Sequence, residues 1–557
     1  MQEAGRLSRP VAVGLALFAA ALRLPTLGLH RLVEGDGVHY AHLARSILAG
    51  DWSGLANPYW SNLWPGVIAA TSGSTGLGVV AAGRLASLLS GVLLVPATAT
   101  LATRLGGPTS GLVAGALCAV HPWLIHFSTL VFTESFFALV LVALLLAGLA
   151  AAESGKGAVR AGILAGAAVT TRPEAYAAIG VLLVWLAVAG VSRRRDALAR
   201  TGVFLGIVVL FVFGRAVLVH HYYDRWDLGL GTKGTANLFV GLATTDSEMA
   251  RVTTEVRADG TNALAQKAQE ATLAGFALAH PMLFAQHVAR NLVRLAASAV
   301  RVFPFVPPSD GRPAPWAGPW PLVLWIAMIA GTALAFFGVV QALRDPHSRP
   351  GALVLLATTA AYALGLVPLF VHDRLVVPLV PLFLVFLAFG LVGGARRVFA
   401  DEGRVRRWLA AGLAVVGVLS LTSLLRASTL EYASDPVVQR ETGEWLAAHY
   451  PQDRRLMTAA PSVGFYFHDA PHADREVRLP WGDVDQVLQL ARQQDVALLA
   501  VPEWHLRAVQ HPAAAVLLRP EPPYPGLRHV ATLGDDARGR MFVYEIEALP
   551  SLPVTRP

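Results

Sequence analysis

The sequence predicts a polytopic α-helical membrane protein of about eleven spans, with a small α/β domain at its C-terminal end. Three observations carry that prediction. Only 15% of the 557 residues are charged and the mean hydropathy is +0.51, whereas a soluble domain carries about 25% charged residues. The apolar residues gather in runs such as Val11–Leu29, Phe136–Ala152, Ala175–Val191, Pro321–Leu343 and Leu375–Gly393. Each is long enough to cross a hydrocarbon core of roughly 30 Å. Beyond residue 426 the runs shorten and charges return, as a water-exposed domain requires.

The spans follow in order from charge and parity. Basic residues cluster at Arg6/Arg9, Arg104, Lys156/Arg160, Arg193–Arg195 with Arg200, Arg344/Arg349, and Arg396/Arg397 with Arg404, Arg406 and Arg407. Placing all of them in the cytoplasm satisfies the positive-inside rule. Spans then read near 11–29, 80–103, 108–122, 130–151, 158–172, 174–191, 201–220, 320–343, 350–370, 374–394 and 408–425. The N-terminus falls inside and the C-terminal domain outside. The first run has no small-residue cleavage site after it and reads as a span, not a signal peptide. His280–Phe305 is apolar but carries Arg290, Arg294 and Arg301, and reads as an interfacial amphipathic helix on the outer side. The net charge of +8 is spread among these loops, which points to membrane orientation and away from nucleic acid. The single cysteine, Cys118, lies in an apolar run, so no intramolecular disulfide or cysteine metal cluster can form.

Residues 1–426 therefore form a transmembrane domain with outer loops at 30–78 and 222–320, and residues 427–557 form an extracytoplasmic α/β domain. In the tail, Arg440–His449 and Val484–Gln494 have helical patterning, while Leu456–Thr458, Val496–Pro502 and Arg540–Ile546 read as strands.

The first outer loop carries the sharpest chemical signal. In Gly37–Ala49, the residues Tyr40, Leu43, Ala44, Ile47 and Leu48 share one face at helical spacing, which predicts a short helix on the membrane surface. Asp36 is placed to N-cap it and Gly50 to end it. Capping alone accounts for an acid at 36. Its setting adds a chemical reading: Asp36, His39 and Tyr40 fall on one side of the helix, at headgroup level. There a carboxylate can take the proton of a hydroxyl acceptor, with acceptor and lipid-linked donor held together at the interface.

An acid in the loop after the first span, then a tyrosine, the Ala44-Arg45 pair and Gly50-Asp51, resembles the membrane-embedded GT-C glycosyltransferases. The nearest branch is that of protein O-mannosyltransferases and the lipid A aminoarabinose transferase. Further motifs similar to that family are Ala82-Gly83-Arg84-Leu85, His121-Pro122 with Phe127-Ser128, Thr133-Glu134-Ser135, Thr171-Arg172-Pro173-Glu174, and His372-Asp373-Arg374 followed by Pro378 and Pro381. The order of these motifs is more specific than any one of them. The resemblance implies a GT-C type fold and a catalytic acid at Asp36. Glu34 is a second candidate, because the usual adjacent acids are here spaced as Glu-Gly-Asp.

Other residues have a bland reading and a functional one. Glu134, at the outer end of the fourth span, is either a helix-start carboxylate or a cavity residue. Arg172 and Arg374 fall on the outer side, where they can hold a departing lipid phosphate or pair locally with Glu174 and Asp373. Lys233, in Gly231-Thr232-Lys233-Gly234-Thr235, is either a substrate contact or a solvated lysine, and the stretch is no P-loop. His220-His221-Tyr222-Tyr223, Tyr59, Trp60 and Trp64 read as interface anchors. His39, His42, Asp36 and Glu34 offer imidazole and carboxylate donors for a divalent metal, but no ligand spacing is diagnostic, so no metal is assigned.

The expected reaction is inverting transfer of a sugar from a polyprenyl-phosphate donor to an acceptor hydroxyl on a lipid, glycan or protein, at the outer face of the cytoplasmic membrane. The alternative is a transporter or lipid flippase, for which inverted repeats are expected; the sequence shows none.

Overall fold

The structure is a computed structural model that describes residues 7–28, 32–33, 35–154, 157–189, 194–229, 231–245, 248, 251–252, 264, 267, 270–303, 320–399, 401–431, 436–468, 475–519, 521, 524–536 and 538–547. Two compact units emerge from the internal contacts. One comprises Met1–His30, Leu55–Leu230 and Met282–Ser428, and the other Arg31–Gly54, Gly231–Pro281 and Thr429–Pro557. Sequence order had placed the first two stretches of the second unit with the membrane helices.

The first unit is a helical bundle. Among the described residues, six helices are long and apolar enough to cross a membrane: Arg9–Leu27, Val79–Val120, Glu134–Glu153, Arg195–Tyr223, Arg349–Leu366 and Asp373–Val398. The expected spans near 158–172 and 174–191 become two helices of 14 residues each, Ala158–Thr171 and Ala175–Val188. At 1.5 Å per residue each is roughly 21 Å long, short of a full crossing without the segments around it. The expected pair 80–103 and 108–122 is continuous helix except at Gly107, where φ is 81°. Only glycine adopts that conformation without strain, and Pro108 starts the next helix.

The Val380–Val398 helix lies at the centre of this bundle. Gly338 and Gly390 lie where a side chain would strike the facing helix, Gly338 against the Phe386 carbonyl and Gly390 against the Leu334 carbonyl. Close backbone approach through small residues is how helices associate where no water drives them together. Around the buried core, Leu17, Val184, Leu210 and Phe336 remain more than 60% exposed, which makes the rim a surface suited to lipid. Trp64 departs from its expected place at the interface. It is fully buried beside Phe136.

The Pro281–Val302 helix is amphipathic as expected, though with a distinct orientation. Its buried residues are His287, Asn291, Ser298 and Val302, while Met282, Leu292 and Val293 are exposed. His287 Nε2 lies 3.0 Å from the Leu369 carbonyl and Asn291 Nδ2 donates to Val367 at 2.9 Å. A polar stripe turned inward and an apolar stripe turned outward suit a helix bordered by lipid.

The second unit holds a five-stranded sheet of order β2-β1-β3-β5-β4, from β1 (Arg455–Thr458), β2 (Glu476–Arg478), β3 (Val496–Pro502), β4 (Leu527–Asp535) and β5 (Gly539–Ile546). β2, β1 and β3 run parallel, while β5 is antiparallel to both β3 and β4. Side chains alternate across it. Met457, Leu499, Val501, Phe542 and Tyr544 pack under the Val484–Gln493 helix. Leu456, Leu498, Ala500, Met541 and Val543 pack with Val438, Leu446, Val463 and Phe467 of the helices Pro436–His449 and Pro461–Phe467. Burial on both faces explains why β3 reads as an unbroken apolar run. β2, β4 and the Pro461–Phe467 helix had no clear sequence pattern; β2 is only three residues long and half-exposed.

Candidate active site

In the second unit, the Asp36–Leu48 helix begins one residue earlier than its patterning predicts. Its N-cap is Gly35, with φ 50°, so Asp36 is not the cap but the first helical residue. A carboxylate in the first turn still complements the helix dipole. Gly50, with φ 87°, follows the helix end as expected. Val38, Tyr40, Ala41, Ala44 and Ile47 are buried, and Leu48, expected on that face, is 47% exposed. Asp36 and His39 are half-buried. Burial pushes the His39 pKa down to about 4, partly opposed by the nearby Asp36 carboxylate and assisted by Arg478. The imidazole beside Asp36 is therefore neutral at pH 7.

The packed side of this helix meets the Pro461–Phe467 helix. His42 sets its ring edge-on to Phe465, with centroids 5.1 Å apart. The Arg45 guanidinium lies 4.0 Å over the same ring, and its Nη1 donates to the His468 carbonyl at 3.3 Å. Upstream, the Val33 N–H donates to the Tyr466 hydroxyl at 3.3 Å. His42 is pushed down to about 3, first by burial and then by Arg45, His39 and His468.

Lys233 belongs to the same unit. It is half-buried in the first turn of the Gly231–Leu242 helix, where a loop was expected. Glu34 lies outside the described residues, as does most of the polar stretch Thr244–Gln269. Among the described residues, no group of three or more His, Cys, Asp or Glu side chains is placed to hold a metal ion.

In the first unit, Glu134 and Arg172 come together. Glu134 opens the Glu134–Ser154 helix and Arg172 closes the Ala158–Thr171 helix, so each charge complements the dipole of its own helix. Arg172 Nη1 lies 3.1 Å from Glu134 Oε1, and Nη2 lies 3.3 Å from Glu174 Oε1. Nη1 also donates to Thr133 Oγ1 at 3.4 Å. Arg172 is 5% exposed and Glu134 3%. Arg172 is thus committed to two carboxylates, and the local-pair reading describes its contacts.

Arg374 has a different environment. The expected partner Asp373 is instead held in two bonds of 2.8 Å by Arg301 of the amphipathic helix. The Arg374 guanidinium lies 5.8 Å from the centroid of Phe132, two residues before Glu134. Arg374 and the Glu134–Arg172 pair therefore belong to one neighbourhood of the first unit.

Several polar residues of this unit escape sequence reasoning. Arg23 is fully buried and donates to Ser128 Oγ and to the carbonyls of Ala19 and Ala119. Asp227, 5% exposed, receives both Arg215 and Arg225. Arg23 and Arg215 lie inside the expected spans 11–29 and 201–220, and their partners are distant or across a turn, so no local pattern marks them.

The fold is similar to that of known structures. ArnT from Cupriavidus metallidurans, in its complex with undecaprenyl phosphate, is similar over 95% of this chain and 97% of its own, with TM-score 0.56 and 16% identity. This is the GT-C fold. The oligosaccharyltransferase of Archaeoglobus fulgidus, in its apo form, is similar over 98% of this chain and 75% of its own, with TM-score 0.58 and 13% identity. The oligosaccharyltransferase AglB from Archaeoglobus fulgidus, in complex with an inhibitory peptide and a dolichol-phosphate, gives TM-score 0.54 at 13% identity over 90% of this chain and 70% of its own. Residues 69–220 match the family model of dolichyl-phosphate-mannose-protein mannosyltransferases. No curated protein sequence matches the chain. The sequence-level resemblance to GT-C proteins is borne out, and with it the multi-pass helical architecture and the small C-terminal sheet.

Proposed function

We propose that this protein is an inverting glycosyltransferase that uses a polyprenyl-phosphate-linked sugar, with its loop helix and C-terminal domain on the outer face of the cytoplasmic membrane. The observation that carries the reading is Asp36, a half-buried carboxylate at the head of a short helix in a GT-C fold. The undecaprenyl phosphate of the ArnT structure and the dolichol-phosphate of the AglB structure support a lipid-phosphate carrier for the donor.

In this mechanism the acceptor hydroxyl oxygen attacks the anomeric carbon as its proton passes to the Asp36 carboxylate, or to Glu34 in its place. The bond from the anomeric carbon to the phosphate oxygen breaks, and its electron pair leaves with the polyprenyl phosphate. A positioned base contributes about 10²–10⁴-fold. Neutral His39 can hydrogen-bond to acceptor or sugar without competing for the proton. Tyr40 supports the helix from its buried side. Arg374 holds the leaving phosphate, as a planar permanent cation suited to that anion, and Lys233 adds a second donor to substrate. Glu134 shapes the surroundings of Arg374 from its buried place, and Arg172 fixes its orientation. Hexose or pentose, and lipid, glycan or protein acceptor, remain the variables of the assay.

The test uses purified full-length protein, a radiolabelled polyprenyl-phosphate sugar and a panel of acceptors. Wild-type transfer that falls at least ~100-fold in Asp36→Asn or in Glu34→Gln supports the reading and names the base. Unchanged turnover in both variants refutes it. Movement of labelled lipid between leaflets without bond formation favours a flippase instead.

A further inference from the structure

We infer that the C-terminal domain is the frame that aims the loop helix Asp36–Leu48, through Arg45, Phe465 and Tyr466 as positioning residues; this rests on the reading of Asp36 as the base.

The helix has 13 residues, near the length at which an isolated helix is only marginally stable in water. Its N-cap is Gly35, with φ 50°, a residue that imposes little direction on the chain before it. Its direction must therefore come from what it packs on. The half-buried His42 and Arg45, and Val33 just before the helix, all reach one short element of the tail, Pro461–Phe467 and its cap His468. Val33, three residues before Asp36, donates its N–H to the Tyr466 hydroxyl. His42 and Arg45, one turn apart, both engage Phe465, the first edge-on and the second over the ring face. Arg45 then donates to the His468 carbonyl. The chain is gripped on both sides of the candidate base.

That element is itself tied into the domain core. Val463 and Phe467 are fully buried against Leu456 and Leu498 of β1 and β3. Gly464 lies so close to the Glu476 carboxyl group of β2 that a side chain at 464 would collide with it. Rigidity passes from the sheet to the Pro461–Phe467 helix and from there to Asp36.

The leverage sets the size of the effect. Asp36 lies nine residues from Arg45, about 13.5 Å along a helix axis. A tilt of about 5° at the Arg45 end therefore moves Asp36 by about 1 Å, and a displacement of that size costs up to ~100-fold in rate. Arg45→Ala and Phe465→Leu are expected to lower kcat by ~10–100-fold and to leave KM for the polyprenyl-phosphate sugar within about 2-fold. Phe465→Tyr keeps the ring and restores near-wild-type kcat. The double variant Arg45→Ala/Phe465→Leu is no slower than the worse single variant, because both remove the same grip.

The measurement is steady-state transfer by the full-length protein, with the fold of each variant checked by size exclusion and circular dichroism. Tyr466→Phe deletes one oxygen, and its expected loss in kcat of about 3–10-fold stands even if the larger changes disturb folding. If Asp36→Asn abolishes transfer while Arg45→Ala, Phe465→Leu and Tyr466→Phe all turn over like wild type, the frame is refuted and the base assignment stands. If Asp36→Asn and Glu34→Gln both keep wild-type turnover, the base assignment is what has failed. A rise in KM with kcat unchanged places these residues in substrate binding and overturns the inference.

Discussion

Arg172→Met tests whether the buried Glu134–Arg172–Glu174 triad is an electrostatic unit. The three groups meet at 3.1 and 3.3 Å, with Arg172 5% and Glu134 3% exposed. At an effective dielectric near 20, each contact has a gross Coulomb energy of about 5 kcal/mol, most of it offset by the cost of taking the charges out of water. Removing the arginine keeps that desolvation cost and deletes the attraction. The loss expected for such a broken buried pair is about 3–5 kcal/mol. Methionine fills a similar volume, so the cavity term is small. Neutralising the orphaned acids as well, in Arg172→Met/Glu134→Gln/Glu174→Gln, should recover at least about half of the loss, since no buried charge then lacks a partner. The assay is equilibrium unfolding of the purified protein in mixed micelles, followed by circular dichroism. A single variant within about 1 kcal/mol of wild type, or a triple variant less stable than the single, would show that the triad is solvated and the reasoning wrong.

The remaining predictions concern both units. Asp36→Asn should remove at least ~100-fold in transfer rate with normal folding, read by radiolabelled sugar transfer. Asp373→Asn should cost about 1–2 kcal/mol, because its two bonds to Arg301 are partly exposed; the swap Arg301→Asp/Asp373→Arg should return part of that in the same unfolding assay. Burial pushes the Glu476 carboxyl up to about 8, with Arg478 opposing. A raised folded-state pKa means that the folded protein holds a proton the unfolded chain releases. The associated stability is present below the unfolded value near 4.5 and is lost as pH rises toward 8. Glu476→Gln should therefore stabilise the C-terminal domain by about 2–4 kcal/mol at pH 8, discounted for partial exposure, with no gain at pH 4; a gain independent of pH would refute this cause.

How much of the site was legible depends on whether a residue's partners are near it in the chain. The Asp36–Leu48 helix was visible from its apolar period, and Glu134 from an acid standing where an apolar run begins. Arg172 was visible as a cation on the wrong side for topology. Its partners were only half legible: Glu174 is two residues away, whereas Glu134 is 38 residues away and no local pattern joins them. Asp373 shows the opposite failure. Its sequence neighbour Arg374 was the natural partner, but Arg301, 72 residues distant, presents a flat fork that a flanking side chain cannot match.

By itself the sequence determined the class of the protein, because membrane crossing needs only length and apolarity within one segment, and the sheet domain needs only alternation within short runs. Which helices pair, where Arg172 and Arg301 find their acids, and that the loop bearing Asp36 packs against the tail's Pro461–Phe467 helix were decided by tertiary structure. Those contacts join residues up to hundreds of positions apart, and their energy is gained only when chain entropy has already been lost to folding.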